Sequence, residues 1–323
     1  MNKEHAEVDV SIIVPVYNHE RYVEQTLKSI INQETTYTYE ILIGEDCSPD
    51  HSKDVIKGFE KENPEKIRAF YREQNMGGTR NIYELFMVAR GRYVAVLEGD
   101  DYWIDKYKIQ KQVSFLDKHP EYIGVASNFS IIDKYGNIVE ERCISSNHLN
   151  CGFLWKDFLS RGFEFHTATL MYHNIYLEEK DYSIFYKAHE LVGDLTALTL
   201  LLNRSNIYVM EDVMSAYRRI IDKSETNACS IADRDPALSS MKTVRQYVML
   251  QPYLYNKNDF DYLIASHKMT FLKRMIRHRD GYTWKRWKKL CYLGGHRTNL
   301  LIIAVFSKKC LQKCTNNMRK VGK

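Results

Sequence analysis

The chain has 323 residues, of which 44% are hydrophobic, and a formal net charge of +5. This length and apolar content can bury one large core together with an additional segment. The longest apolar run, Leu300–Phe306, has 7 residues, which excludes a membrane-spanning helix because a span needs about 20 residues. An odd number of cysteines, without paired CxxC spacing, and no recognisable signal peptide predict a reducing cytoplasm.

The first hundred residues alternate apolar runs with helical periodicity. Apolar runs predict strands at residues 10–14, 39–44, 67–71 and 93–97, and apolar residues at helical spacing predict a helix after each of the first three. The order β-α-β-α-β-α-β predicts a mostly parallel, mixed α/β sheet flanked by helices, with right-handed crossovers. Open sheets of this kind bind ligands beyond the carboxyl ends of their strands. Polar residues follow three of these strands, so we expect a ligand site at that edge.

An acidic cluster, Glu98-Gly99-Asp100-Asp101, directly follows the last of these strands. Carboxylates this close repel one another, and a divalent cation keeps them ionised at the lowest cost. Oxygen ligands suit Mg²⁺ or Mn²⁺, so the cluster predicts a metal-assisted diphosphate site. A solvated acidic turn is the alternative for such a cluster taken alone.

The chain resembles glycosyltransferase family 2 in a series of motifs that occur in the family's order and spacing. They are Ser11–Asn18 (SIIVPVYN), Ile43–Ser48 (IGEDCS), Asn75-x-Gly77, Leu97–Trp103 (LEGDDYW), Gly193–Leu195 (GDL) and Val213–Arg218 (VMSAYR). Together they cover about residues 9 to 220. The resemblance implies the GT-A fold and an inverting transferase that uses a nucleotide-diphospho-sugar, of the bacterial cell-surface glycan type.

The resemblance also implies a donor site with a divalent metal cofactor, Mg²⁺ or Mn²⁺. Tyr17 would stack on a pyrimidine ring, Asp46 would accept the ring N–H, and Arg80 would approach the base or the diphosphate. An ordinary turn aromatic and a surface charge at a helix start are the alternatives for Tyr17 and Arg80. The implied donor-binding residues are Pro15, Tyr17, Asn18, Glu20, Asp46, Arg80 and Asp100, and the implied metal ligands are Asp100, Glu98 and Asp101.

On the acceptor side, the resemblance makes Asp194 the general base. A sugar hydroxyl is a very weak acid, so direct transfer needs a carboxylate that removes the proton as the C–O bond forms. Asp194 also starts an apolar helix, where an acid favours the helix dipole, and this is the alternative role. Residues 165–169 are predicted to form an edge strand beside the site. The other implied acceptor-side residues are Trp103, His166, Thr167, Tyr217 and Arg218, with a packing role as the alternative for His166.

Beyond Arg218 the chain departs from the family pattern, because Ile220 occupies a position where a histidine often follows. Residues 222–233 are predicted to form a lid over the donor. We predict a GT-A domain at residues 1–240, with a donor-binding half at about 9–105 and an acceptor-side half at about 106–235. A basic helical C-terminal extension is predicted at residues 241–323.

Charge is distributed unevenly along the chain. Residues 261–323 contain 16 Lys and Arg and 2 Asp, a net charge of +14, so residues 1–260 carry −9. Basic groups alternate there with apolar and aromatic ones, which predicts helices lying on an anionic membrane surface. A solvated helical tail or an oligomer contact is the alternative. No nucleic-acid-binding motif accompanies the charge, so nucleic acid is not an expected partner.

These observations predict an inverting glycosyltransferase that moves a sugar from a nucleotide-diphospho-sugar, most simply a UDP-sugar, to a hydroxyl of a glycan or lipid-linked acceptor. It would act in cell-surface polysaccharide synthesis, on the inner face of the cytoplasmic membrane. A sugar-nucleotide nucleotidyltransferase is one alternative, but its glycine-rich loop belongs after the first strand, whereas Gly77-Gly78-Thr79-Arg80 follows the third. A non-catalytic membrane-associated scaffold of the same fold is the other. Retention of Asp46, Asp100, Asp101 and Asp194 argues against that scaffold.

Overall fold

The computed structural model describes residues 8–220, 236–278, 281–293, 295 and 297–302. The chain divides into two compact units, residues 1–220 and 221–323. The first unit contains β1 (Val10–Val16), α1 (Val23–Ile31), β2 (Tyr39–Glu45), α2 (Ser52–Glu62), β3 (Ile67–Tyr71), α3 (Gly78–Phe86), β4 (Tyr93–Val96), β5 (Tyr102–Trp103), α4 (Lys108–Lys118), β6 (Gly124–Ile132), β7 (Ile138–Glu140), β8 (Cys151–Phe153), α5 (Trp155–Arg161), β9 (Met171–His173), α6 (Ile184–Lys187), α7 (Asp194–Leu202) and β10 (Ile207–Arg218).

These strands form one mixed sheet in the order β3-β2-β1-β4-β9-β6-β10-β5, with β7 paired to β6 and β8 paired to β10. The pairs among β3, β2, β1 and β4 are parallel, and so is the pair of β6 with β10. Short β9 runs antiparallel to both β4 and β6 and joins the two parallel groups. The mixed α/β sheet that the sequence predicts is therefore confirmed.

The central strands are buried on both faces, which is why their sequences are apolar without alternation. The neighbours Ile12 and Ile13 of β1, and Ile41 and Leu42 of β2, point to opposite faces and are all 0% exposed. Helix α1 packs on this sheet through the residues predicted from its periodicity, including Leu27. The parallel arrangement brings the carboxyl ends of β1, β2 and β4 to one edge, where the polar motifs follow.

The buried carboxylate of Glu40 forms a hydrogen-bond network at the opposite edge of the sheet, near the amino end of β2. Glu40 accepts hydrogen bonds from the Ser11 hydroxyl at 2.7 Å, from the Arg90 N–H, Nε and Nη2 at 2.9, 3.0 and 2.8 Å, and from Arg68 Nη1 at 3.1 Å. Burial alone would raise the pKa of Glu40, but these donors hold it below its usual value. The carboxylate thus cross-links β1, β2, β3 and the segment that enters β4.

The prediction of an edge strand at residues 165–169 is wrong. Residues Thr167–Thr169 form one turn of 3₁₀ helix, followed by β9. Side chains satisfy this segment locally, since Ala168 N–H donates to His166 Nδ1 and the Thr169 hydroxyl donates to the His166 carbonyl. Such local bonds between side chains and the backbone compete with strand pairing.

The described part of the second unit contains α8 (Pro236–Leu250), α9 (Asp261–His278) and α10 (Gly281–Tyr292). Its buried Lys268 donates to the Thr298 hydroxyl and to Asn299 Oδ1, both at 2.7 Å. Across the residues with described positions, none of the helices combines the length and hydropathy needed to cross a membrane. The predicted lid at 222–233 falls outside the described residues.

Candidate active site

The loops that follow β1 and β2 are bonded to each other. Successive backbone N–H groups of residues 18–20 donate to Ser48 Oγ at 3.1 Å, to Ser52 Oγ at 2.9 Å and to Asp50 Oδ2 at 2.9 Å. Asn18 has a φ of 62°, which turns the chain sharply at the strand end. These bonds fix the two loops as one surface at the carboxyl edge of the sheet.

The predicted donor-binding residues of the first motif lie on this surface in different environments. Pro15 is buried at the end of β1, whereas Tyr17 is 37% exposed and presents its ring to solvent. Glu20 accepts a hydrogen bond from the His51 N–H at 3.0 Å. The structure therefore leaves Tyr17 open for stacking and uses Glu20 to join the two loops.

Asp46, at the end of β2, is buried and holds the turn that precedes α3. Its two carboxylate oxygens accept the N–H groups of Met76 at 2.8 Å and Gly77 at 3.0 Å. Burial raises the pKa of Asp46, and these two N–H donors oppose that rise. Each oxygen has a second lone pair, so Asp46 can still accept a further N–H.

Arg80 lies in the first turn of α3, and two neighbouring side chains engage its guanidinium. Arg80 Nε lies 2.7 Å from Glu84 Oε1, and the guanidinium carbon lies 4.5 Å from the centre of the Tyr186 ring. The sequence had not suggested these partners, although Glu84 is four residues away, at the spacing of a helical ion pair.

The acidic cluster forms a compact carboxylate group at the end of β4. Ligand oxygens of Glu98, Asp100 and Asp101 all lie within 4.8 Å of one another. The Thr26 hydroxyl of α1 donates to the carbonyls of Gly99 at 3.0 Å and Asp101 at 2.7 Å. The strand end and α1 together therefore impose the close approach of the three acids.

The electrostatics of the cluster show a deficit of positive charge. Burial, followed by the charges of Asp100 and Asp194, raises the pKa of Glu98 to about 8. Burial and the charges of Asp100 and Glu98 raise the pKa of Asp101 well above its usual value. Asp101 Oδ2 is buried and has no hydrogen-bond partner among the described atoms. An orphaned acceptor in a crowded set of carboxylates fits the ligand chemistry of a divalent cation.

Arg218, at the end of β10, ties this acidic loop to distant parts of the unit. Its N–H donates to Asp101 Oδ1 at 2.7 Å and its Nε to the Asp100 carbonyl at 2.9 Å. Its Nη1 donates to the Asp133 carbonyl at 3.1 Å and its Nη2 to Gln25 Oε1 at 2.9 Å. Arg218 is 4% exposed, so the structure places this predicted acceptor-side residue beneath the cluster, in a supporting position.

His166 and Tyr217 lie against the same cluster. Their rings stack with centres 3.9 Å apart, and His166 Nδ1 is 3.6 Å from Asp101 Oδ2. Burial lowers the pKa of His166 to about 4, so the imidazole is neutral at pH 7. Because Nδ1 accepts the Ala168 N–H at 3.3 Å, the proton belongs on Nε2.

Two predicted acceptor-side residues have other positions. The Trp103 indole is in the hydrophobic core, 4% exposed, with Nε1 donating to the Ala168 carbonyl at 3.0 Å. Thr167 begins the 3₁₀ turn beside His166. Sequence reasoning missed His19, whose Nε2 lies 3.9 Å from Asp100 Oδ2. Its position directly after the Pro-Val-Tyr-Asn motif was the available signal.

Asp194 begins α7, as predicted, and is half-buried. Burial raises the pKa of Asp194 to about 6. Its charge also contributes to the raised pKa of Glu98, so the two carboxyls interact electrostatically. The structure thus brings Asp194 to the acidic cluster, although the two are about a hundred residues apart in sequence.

Comparison with known proteins identifies the family. The model of glycosyl transferase family 2 matches residues 11–191, more than half of the chain. The chain therefore belongs to glycosyl transferase family 2. Rv1520, an uncharacterized protein of Mycobacterium tuberculosis, is 38% identical over 112 residues, which is 35% of this chain and 32% of that protein. The Bacillus subtilis protein TuaG, whose name refers to a glycosyltransferase of teichuronic acid biosynthesis, is 38% identical over 107 residues, 33% of this chain and 41% of TuaG.

The fold also matches solved structures. A crystal structure of S. aureus TarS residues 1–349 in complex with UDP-GlcNAc superposes with a TM-score of 0.63 at 15% identity, covering 88% of this chain and 80% of that one. The predicted GT-A fold is thereby confirmed. The matched stretches span only a third to two fifths of the two curated relatives.

Proposed function

We propose that the protein transfers a sugar, with inversion, from a nucleotide-diphospho-sugar to a hydroxyl group of a glycan or lipid-linked acceptor in cell-surface polysaccharide synthesis. Family membership supports the reaction class, and the names of relatives such as TuaG support the class of product. UDP is the favoured nucleotide, because the fold neighbour TarS was crystallised with UDP-GlcNAc and the loop surface offers groups suited to a pyrimidine.

The donor would bind at the joined loops of β1 and β2. Tyr17 offers an exposed ring for stacking on the base, and Asp46 offers free lone pairs for a base N–H. Arg80 would have to exchange its contact with Glu84 for one with the donor, since Glu84 lies 2.7 Å away. Pro15, Asn18 and Glu20 would shape the loop rather than carry the recognition.

The residues of the cluster would hold a divalent metal, Mg²⁺ or Mn²⁺. Asp100 would be the main ligand, with Glu98 and the unpartnered Asp101 Oδ2 beside it. When bound, the ion supplies positive charge that stabilises the diphosphate as it leaves. Arg218 and Thr26 position the acidic loop through main-chain bonds, and neutral His166 presents its imidazole to Asp101.

Asp194 would be the general base. Its ionised carboxylate takes the proton from the acceptor hydroxyl while the new C–O bond forms and the bond from the anomeric carbon to the diphosphate breaks. Attack from the face opposite the leaving group inverts the anomeric centre. His166, Thr167 and Tyr217 lie on the side of the cluster where we place the acceptor.

We further propose that the enzyme works at the inner face of the cytoplasmic membrane, where lipid-linked acceptors are accessible. The support is the net charge of +14 in residues 261–323, which favours contact with anionic lipid.

The observation that carries the proposal is the electrostatic interaction of the half-buried Asp194 with Glu98 of the acidic cluster. A panel of nucleotide sugars that includes UDP-GlcNAc, assayed for nucleotide release with Mn²⁺, Mg²⁺ or chelator, tests it. We expect metal-dependent release from at least one UDP-sugar, and Asp100→Ala should abolish the metal dependence. Asp212→Ala, which removes an exposed carboxylate bonded to Lys111, should not. Equal nucleotide release by the wild type with and without chelator would refute the metal assignment.

A further inference from the structure

The turn between β3 and α3, at residues 76–79, contacts two parts of the site at once. On one side, its backbone N–H groups hold the Asp46 carboxylate, as described above. On the other side, the Thr79 hydroxyl donates to the His189 carbonyl at 2.7 Å, and the Thr79 N–H donates to the Glu190 carbonyl at 3.3 Å. Thr79 is 1% exposed, so water cannot easily replace either bond.

The loop that receives these bonds, residues 189–193, leads directly into Asp194. Within the loop, His189 Nδ1 accepts the N–H groups of Leu191 at 3.1 Å and Val192 at 3.0 Å. At its end, a Cβ on Gly193 would lie only 2.6 Å from Cζ of Phe185. The loop is therefore tightly turned inside and closely packed at its end, and Thr79 links it to α3.

We propose that Thr79 is a positioning residue for Asp194. This inference rests on the proposed function, in which Asp194 is the general base. Thr79 fixes two consecutive carbonyls, those of residues 189 and 190, which lie five and four residues before Asp194, and α7 starts immediately after the loop. A shift of the loop would therefore move the first residue of the helix, and with it the Asp194 carboxylate.

Through this turn, Thr79 connects the proposed nucleotide-binding residue Asp46 with the proposed general base Asp194. Asp46 holds the turn by accepting the N–H groups of Met76 and Gly77. Thr79, in the same turn, bonds to the loop at residues 189–193, which leads into Asp194. The proposed function gives Thr79 no contact with the sugar donor or with the acceptor hydroxyl. Its effect must therefore appear in the placement of Asp194 rather than in nucleotide binding.

The test compares three variants of the full chain. Thr79→Val keeps the shape of the side chain and removes the hydroxyl, whereas Thr79→Ser keeps the hydroxyl. Thr199→Val is the matched control, because the buried Thr199 hydroxyl donates to the Leu195 carbonyl at 2.6 Å within α7. Each variant is measured for melting temperature, UDP affinity, hydrogen exchange of residues 189–194, and nucleotide release from the most active UDP-sugar of the panel.

We expect Thr79→Val to speed hydrogen exchange in residues 189–194 and to lower kcat by about 10- to 100-fold, the scale of a misplaced catalytic group. Its UDP affinity should stay within about twofold of the wild type, because the turn keeps both N–H bonds to Asp46. Thr79→Ser should restore both properties, and Thr199→Val should leave the exchange of the loop unchanged.

Unchanged exchange of residues 189–194 in Thr79→Val, or a normal kcat despite faster exchange, would overturn the positioning role. An equal loss of kcat in Thr199→Val would overturn it too, because the effect would then be general to α7. These outcomes would contradict the role of Thr79 alone. The proposed function would instead be contradicted by a fully active Asp194→Asn variant, or by the absence of turnover with every nucleotide sugar of the panel.

Discussion

Replacing Asp194 with Asn distinguishes two roles for this residue, that of a catalytic carboxylate and that of a stabilising acid at the start of a helix. Asn preserves the shape and much of the hydrogen bonding of Asp but has no basic oxygen. Loss of a positioned base lowers the rate by on the order of 10² to 10⁴, whereas loss of a favourable interaction with the helix dipole costs about 0.3–1 kcal/mol of stability. We therefore expect transfer to collapse while nucleotide affinity stays the same.

The raised pKa of Asp194 gives the same prediction a pH dependence with a definite sign. With a pKa of about 6, Asp194 is about 90% ionised at pH 7 and about 10% ionised at pH 5. Because the ionised form is the base, kcat should fall about tenfold between pH 7 and pH 5. A carboxyl at the ordinary value of 3.8 would stay above about 90% ionised at pH 5 and would produce almost no fall.

The same shift predicts how the variant affects stability. The pKa of the Asp194 carboxyl is higher in the folded state than in the unfolded chain. Its protonated form therefore stabilises the fold at a pH below the unfolded pKa, and this stabilisation is lost as the pH rises through the folded pKa of about 6. Neutral Asn avoids the cost of a buried charge at pH 7. The Asn variant should therefore melt at or above the wild-type temperature at pH 7.

The assay is nucleotide release at saturating donor and fixed Mn²⁺ from pH 5 to 8, with UDP affinity measured at each pH to separate binding from chemistry. The residual rate of Asp194→Asn should lack the fall near pH 6. A variant that transfers sugar at nearly the wild-type rate would make Asp194 structural, and Asp101 and Glu190 would be the next candidates for the base.

Three further predictions concern the scaffold, the metal loop and the basic extension. Glu40→Gln should destabilise the protein by about 1–3 kcal/mol, because it removes the negative charge of a buried group that accepts hydrogen bonds from the exposed guanidiniums of Arg68 and Arg90. Thermal unfolding measures this, and an unchanged melting temperature would contradict it. Gly99→Ala should weaken Mn²⁺ binding at least tenfold in calorimetry. The added Cβ would lie 2.8 Å from His19 Nδ1 and 2.9 Å from Val16 Cγ2, so it must displace the acidic loop. An Mn²⁺ affinity equal to that of the wild type would show that the loop adapts. The full chain should float with anionic liposomes at low salt and be released at high salt; binding that is absent, or indifferent to anionic lipid content, would leave the oligomer-contact or solvated-tail alternative.

The sequence was sufficient to predict features that depend on neighbouring residues. The strands β1 to β4 followed from short apolar runs, and the helices between them followed from apolar spacing, because burial on both faces or on one face dictates those patterns directly. The start of α7 at Asp194 was predicted for the same reason, from the apolar run that follows a glycine.

Features that depend on distant residues could not be predicted in this way. Residues 165–169 have the β-branched and aromatic composition of a strand, yet local bonds from His166 and Thr169 fold them into a 3₁₀ turn. The engagement of Arg80 by Tyr186 and the link from Thr79 to the loop at residues 189–193 join segments about 110 residues apart. Spacing in one sequence carries no information about such pairs.

The bonds of Arg218 have a consequence for how the protein is made. Arg218 follows Asp101 by 117 residues and Gln25 by 193 residues along the chain. At about 5–20 residues per second, a ribosome adds Arg218 roughly 6 to 23 seconds after Asp101. During that interval the emerging chain carries the acidic loop without the guanidinium and backbone N–H that hold it. The acidic loop of the nascent protein is thus completed only at the end of synthesis of the first unit.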